Sequence, residues 1–148
     1  MAVVITPKQT SLQLKRHYPF AREKVFRAWT DPRALKAWFA PDDAFQVPIA
    51  EVDLRAGGRY RIVMEKPGGE QHRVGGVYRE ISPPSKLVFT WAWESTPERE
   101  SLVTVELRDK GGATELVLTH ERLFDEETRA RHLHGWTGCL ERLGRLKL

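Results

Sequence analysis

The chain has 148 residues, with 24 Lys and Arg against 20 Asp and Glu, a net charge of +4 and a single cysteine, Cys139. That length suits one domain able to bury roughly 68–70% of its extended surface, and one cysteine excludes an intramolecular disulfide. The charge signs are interleaved, as in Arg22-Glu23-Lys24 and Glu98-Arg99-Glu100, which describes a solvated surface and argues against nucleic acid as a partner.

No apolar run approaches the ~20 residues of a membrane span. The opening Met1-Ala2-Val3-Val4-Ile5 is too short for a signal peptide and lacks its basic flank. The expectation is a soluble cytoplasmic protein, a single domain over 1–148 in which residues 1–9 form a loose N-terminal segment.

In chain order, Ser11 to His17 alternates Leu12 and Leu14 with Gln13 and Lys15, the period of a half-buried strand. Val25, Phe26 and Trp29 then fall at helical spacing. Asp31-Pro32 supplies a cap and a proline at the first helical position, restarting a second short helix with Leu35, Trp38 and Phe39. From Phe45 onward the rhythm is strand and turn, with breaks at Gly57-Gly58, Pro67-Gly68-Gly69, Ser82-Pro83-Pro84, Thr96-Pro97 and Gly111-Gly112. Each break holds the residues that make tight turns, so six strands in an antiparallel meander are predicted over Phe45–Leu54, Arg59–Glu65, Gln71–Ile81, Lys86–Glu94, Ser101–Arg108 and Thr114–Glu121.

Side-chain parity assigns the faces. Leu87, Phe89, Trp91 and Trp93 share one side of their strand, and Tyr60, Ile62 and Met64, then Val103, Val105 and Leu107, then Leu116 and Leu118 do the same in theirs. A sheet wet on one face must be covered on the other. The predicted cover is one long helix from Asp125 to Leu148, whose apolar stripe, at 100° per residue, places His132, Leu133, Cys139, Leu140 and Leu143 within about 60° of Trp136. On this wheel Gly138 faces outward, and Gly135 is the glycine expected to permit close approach to a neighbour.

The runs Val25-Phe26-Arg27-Ala28-Trp29-Thr30-Asp31-Pro32, Trp38-Phe39, Asp53-Leu54-Arg55-Ala56-Gly57-Gly58-Arg59-Tyr60, Gly76-Val77-Tyr78, Leu87-Val88-Phe89-Thr90-Trp91 and Gly135-Trp136 occur in order along nearly the whole chain. Together they resemble the bacterial proteins similar to the C-terminal domain of the activator of Hsp90 ATPase, an AHSA1-like family within the START-like, or Bet v 1-like (SRPBCC), superfamily. The resemblance implies an α+β helix-grip fold: a strand, two short helices, a six-strand meander and a long C-terminal helix over the concave face. It also implies binding of apolar small molecules in a hydrophobic cavity, with catalysis in some branches. Hsp90 is not expected as a partner, because the co-chaperone that names the family engages it through a further N-terminal domain and a stimulating motif unlike anything in this sequence.

A dry void of about 300 Å³ would cost on the order of 7 kcal/mol, which rivals the stability of a whole domain. Such a space must hold water, be occupied, or be filled by the protein's own rings. The candidates for lining it are Trp38 and Phe39 from the second short helix; Tyr60, Ile62, Met64, Phe89, Trp91, Trp93, Val103, Val105, Leu116, Leu118 and His120 from inward strand positions; and His132, Trp136, Cys139 and Leu140 from the final helix. Packing of the core is the plainer role for the tryptophans, and a hydrogen bond to a backbone carbonyl or to Tyr60 is the plainer role for an interior histidine.

Catalytic residues, metal ligands and cofactors are assigned to none of these positions. His132 and His134 lie on different faces of a helix, and no nucleophile elbow or metal-ligand cluster occurs. Three readings stay open. The preferred one is a binding protein for an apolar small molecule, oriented by His132 or His120. The second is a cyclase- or hydratase-like enzyme using an enclosed His or Glu94 as base. The third is a protein-interaction or stress-associated module with a closed cavity, a reading compatible with a homodimer.

Overall fold

The computed structural model describes residues 10–148, so the segment expected to be loose, residues 1–9, lies outside the described residues. In chain order the elements are β1 (Thr10–Tyr18), α1 (Arg22–Thr30), α2 (Pro32–Trp38), β2 (Gln46–Val52), β3 (Arg59–Glu65), β4 (Gln71–Ser82), β5 (Lys86–Trp93), β6 (Ser101–Lys110), β7 (Ala113–Leu123) and α3 (Glu126–Gly144). The six-strand meander of the sequence reading is present, and β1 adds to it by pairing with β7. The result is one curved antiparallel sheet in the order β1-β7-β6-β5-β4-β3-β2.

Local chemistry explains the boundaries. The Asp31 carboxylate accepts from Arg33 N–H at 2.9 Å with Pro32 at the first helical position, starting α2 as expected. Asp125 caps α3 through Thr128 N–H at 2.8 Å. Pro48 is tolerated within β2 because β2 is a sheet edge, where a missing N–H breaks no ladder; the register shifts there, between Gln46 and Ile49.

Two expectations need adjustment. The final helix ends at Gly144 and not at Leu148; beyond it Leu146 and Leu148 turn back onto the core. The Tyr18 hydroxyl donates to Leu140 O at 2.8 Å, fastening this end to β1. Nor does α3 cover the sheet alone. A helix about 10 Å wide cannot span seven strands set roughly 4.8 Å apart, and α1 packs on β6 and β7, α2 on β2, and α3 on β1 and β7.

Candidate functional site

Alternation along β5 aims Trp91 and Trp93 at the same side of the sheet, with their rings 5.5 Å apart and edge to face. Across from them, His132 and Trp136 lie four residues apart on α3 and therefore on one side of it. The Trp91 and Trp93 indole N–H groups both donate to His132 Nε2, at 3.3 and 3.1 Å. An indole nitrogen can only donate, so Nε2 carries no proton and the proton resides on Nδ1, which donates to Thr128 O at 2.8 Å.

The same logic fixes His120. Trp136 Nε1 donates to its Nδ1 at 3.0 Å, so Nε2 is protonated and donates to Ser101 Oγ at 2.7 Å; that hydroxyl donates to Trp91 O at 3.2 Å. The partner of this interior histidine is thus Ser101, and Tyr60 bonds elsewhere, donating to Thr90 O at 2.6 Å. The two imidazoles are 5.0 Å apart. Burial, and secondly the nearby His132, holds His120 well below the usual imidazole range. Burial also lowers His132, with the bond to Thr128 opposing and Arg131 assisting. Both rings are neutral at pH 7, and every ring nitrogen is engaged within the protein.

Beneath α3 the space is largely filled by aromatic rings. Trp136 stands 5.0 Å from Trp91, 5.6 Å from Phe39 and 5.9 Å from Trp29, while Trp29 meets Trp38 at 4.8 Å. Among the described residues, the indole nitrogen of Trp29 is the one buried side-chain polar atom without a partner. Beside this stack, a cavity of about 570 Å³ remains between the N-terminal half of α3, the ends of β4 and β5, and the segment after α2.

Seven of the sequence candidates line that cavity: Phe39, Met64, Trp91, Trp93, His132, Trp136 and Cys139. The others are elsewhere. Val103, Val105, Leu116, Leu118 and Leu140 are fully buried, and Ile62 and Phe89 nearly so, all as core. Trp38 is equally enclosed, its N–H donating to Ala28 O at 2.9 Å. His120 lies behind Ser101 and Trp136, and Tyr60 packs against Tyr78 and Phe89. Cys139 is a small buried thiol pushed up to about 12 by burial, which makes it a poor nucleophile at neutral pH.

The rim was not among the candidates. His72 and Arg73 from the start of β4, Glu94, Thr96 and Arg99 from the turn after β5, Phe124 from the β7–α3 junction and Arg131 from α3 are among the further lining residues. The glycines also exchange roles. A Cβ on Gly138 would stand 1.9 Å from Pro41 O, so this is the close approach, whereas one on Gly135 would meet nothing within 4 Å and would project into open space. The segment at Pro41 is held in place by Arg142, which donates to Asp42 O and Ala37 O, and by Asp43, which pairs with Arg145 at 3.0 Å.

A larger depression of about 730 Å³ lies between β2 and the turn after β5, among Glu51, Arg59, Arg61, Ala92 and Glu94. Within it Arg61 donates to Glu94 at 2.7 Å and lies 3.6 Å from Glu51. Tyr60 and Trp93 are the aromatic residues of its lining, fewer than the Phe39, Phe45, Trp91, Trp93, Phe124 and Trp136 of the smaller cavity. No group of three or more His, Cys, Asp and Glu among the described residues could hold a metal ion. No helix there is long and apolar enough to cross a membrane.

A curved seven-strand antiparallel sheet with three helices, the last of them C-terminal, defines the START-like helix-grip class. Within that class, the chain belongs to the activator of Hsp90 ATPase homolog 1-like family, which matches residues 19–146. Similar solved structures include the AHSA1 protein from Silicibacter pomeroyi, 31% identical over 91% of this chain and 95% of that one, with a TM-score of 0.80. A protein from Chromobacterium violaceum is 26% identical, with coverage of 91% and 95% and a TM-score of 0.81. CalU16 from Micromonospora echinospora is also 26% identical, covering 92% of this chain and 74% of that one at a TM-score of 0.69. No curated protein matches the chain.

Proposed function

We propose that this protein binds an apolar small molecule in the cavity beside the N-terminal half of α3. The observation that carries the reading is the cavity itself: about 570 Å³ walled by Phe39, Met64, Trp91, Trp93 and Trp136, within the ~300–1,000 Å³ typical of ligand sites. The position of Gly135 supports it, since any larger residue there would occupy the space. Phe124, 39% exposed, provides an apolar lip at the opening.

The enzyme reading has less support. Both imidazoles spend their nitrogens on protein partners, and Glu94 is exposed and held by Arg61. The interaction reading has less as well, because the large exposed apolar residues among those described are Leu54, which follows edge strand β2, and Phe124, which follows β7 five strands away in the sheet.

Gly135→Leu tests the proposal. The substitution removes a helix-interior glycine, worth up to about 1 kcal/mol, and fills the cavity with a side chain that meets no wall at its Cβ. Calorimetric titration with decanol should register binding to the parent protein and none to the variant, whose urea midpoint should not fall. Equal binding by both would refute the site.

A further inference from the structure

We infer that the molecule held in this cavity is an amphipathic anion, with an apolar body against the tryptophans and a carboxylate, or a group of like charge, at the arginine rim. The inference rests on the binding reading above and concerns only the chemistry of the ligand's head.

Three guanidinium groups line the cavity, Arg73 and Arg99 from the sheet side and Arg131 from α3, together with His72, His134 and one carboxylate, that of Glu94. All three arginines are exposed. Elsewhere some arginines are answered by carboxylates, as in Arg61 with Glu94, Arg108 with Glu115, Arg129 with Glu126 and Arg145 with Asp43, while others such as Arg59 and Arg79 stand singly among the described residues, so the distinguishing feature here is three guanidinium groups gathered around one hollow. Among the described residues, none of the three at the cavity forms an ion pair. Arg73 bonds a neutral amide, that of Gln71, at 2.7 Å, and Arg99 lies 3.9 Å over the ring of Phe124.

The nearby carboxylates make their direct bonds elsewhere. Glu94 is taken by Arg61 at 2.7 Å, Glu70 faces His72 at 3.2 Å, and Asp125 caps α3 at Thr128 N–H, its carboxyl held below the usual range first by that bond and, more weakly, by the charges of Arg99 and Arg131. Glu98 and Glu100 adjoin Arg99 in the chain but make no ion pair with it among the described residues. A cationic rim around an apolar hollow favours one ligand polarity. Arginine's fork of donors suits a planar carboxylate, and a head at the rim keeps its charge near water while its tail is buried. The stacking of Arg99 on Phe124 holds one guanidinium at the point where the tail would enter.

Three ten-carbon probes sharing one tail separate head from body: decanoate, decanol and decyltrimethylammonium, titrated calorimetrically into the parent protein and into Arg99→Gln/Arg131→Gln. Decanoate should bind at least about tenfold more tightly than decanol, the size of one charge-assisted bond. That ratio should shrink as salt rises and fall toward one in the double glutamine variant, while Arg99→Lys/Arg131→Lys should retain part of it. Unchanged urea midpoints would exclude unfolding as the cause. Equal affinity for decanoate and decanol, or preference for the ammonium head, would overturn the anion inference and leave the cavity reading intact. Failure of all three probes to bind the parent protein would overturn both.

Discussion

The C-terminal half of α3 is closed on its flank, whereas the same flank is open in the N-terminal half. Near Gly138 and Arg142 the helix meets the segment after α2, backbone against backbone at Pro41 and strapped by the bonds of Arg142. About one to three turns before Gly138, Thr128, Arg131, His132 and Gly135 face the cavity. At 100° per residue these two sets occupy roughly the same side of the helix. The difference therefore lies in what the rest of the chain brings to that side, and a binding space arises where the α2 segment stops.

Trp136 stands where the two halves meet, and removing it should cost most. Trp136→Ala is expected to lose about 3–5 kcal/mol in urea denaturation, because it deletes a ring touching Trp29, Phe39 and Trp91 and strands His120 Nδ1. Unaltered stability would make it a wall of the open half and no part of the closed one.

Acid should act next, from the open side. His120 and His132 are held below the ordinary imidazole value of 6.5, so the unfolded chain binds protons that the folded one refuses. Their contribution to stability is complete above about pH 6.5 and is lost as pH falls below it. Urea midpoints measured from neutral pH downward should decline more gently in His132→Gln than in the parent protein; parallel curves would assign the decline to other groups. Ser101→Ala comes after that. It removes the acceptor of the His120 Nε2–H bond and should cost about 1–3 kcal/mol, read in the same way.

The finest contrast is between two alanines. Gly138→Ala must push Pro41 aside and should destabilise by about 1–3 kcal/mol. Gly135→Ala should stabilise by up to about 1 kcal/mol. A loss of similar size from both would mean that the two halves of the flank are not different after all.

The strands were legible because period-2 burial and glycine- or proline-bearing turns are local signals, and every strand of the meander appears within a few residues of its expected span. Inward parity also identified Trp91 and Trp93, and helical spacing identified His132 and Trp136. Parity could not say which inward residues face core and which face space: Leu118 and Trp93 have equal standing on their strands, yet α1 lies over the β6–β7 region and leaves the far end of β5 uncovered. The rim escaped for a similar reason, since His72, Arg99, Phe124 and Arg131 come from four separate stretches with no shared period. Gly138 was misread because a wheel divides a helix into an apolar stripe and a wet remainder, and a glycine packed on a carbonyl belongs to neither.

The pairing of β1 with β7 bears on how the chain is made. Tyr18 lies opposite Thr114, and Thr10 opposite Leu123, so β1 has no neighbour in the sheet until β7 has been made. Strands β2 to β6 can zip hairpin by hairpin during synthesis, but β1 joins the sheet only once β7 has followed them. A message cut short before β7 would release a product with two unpaired strand edges, the kind of surface on which chains aggregate.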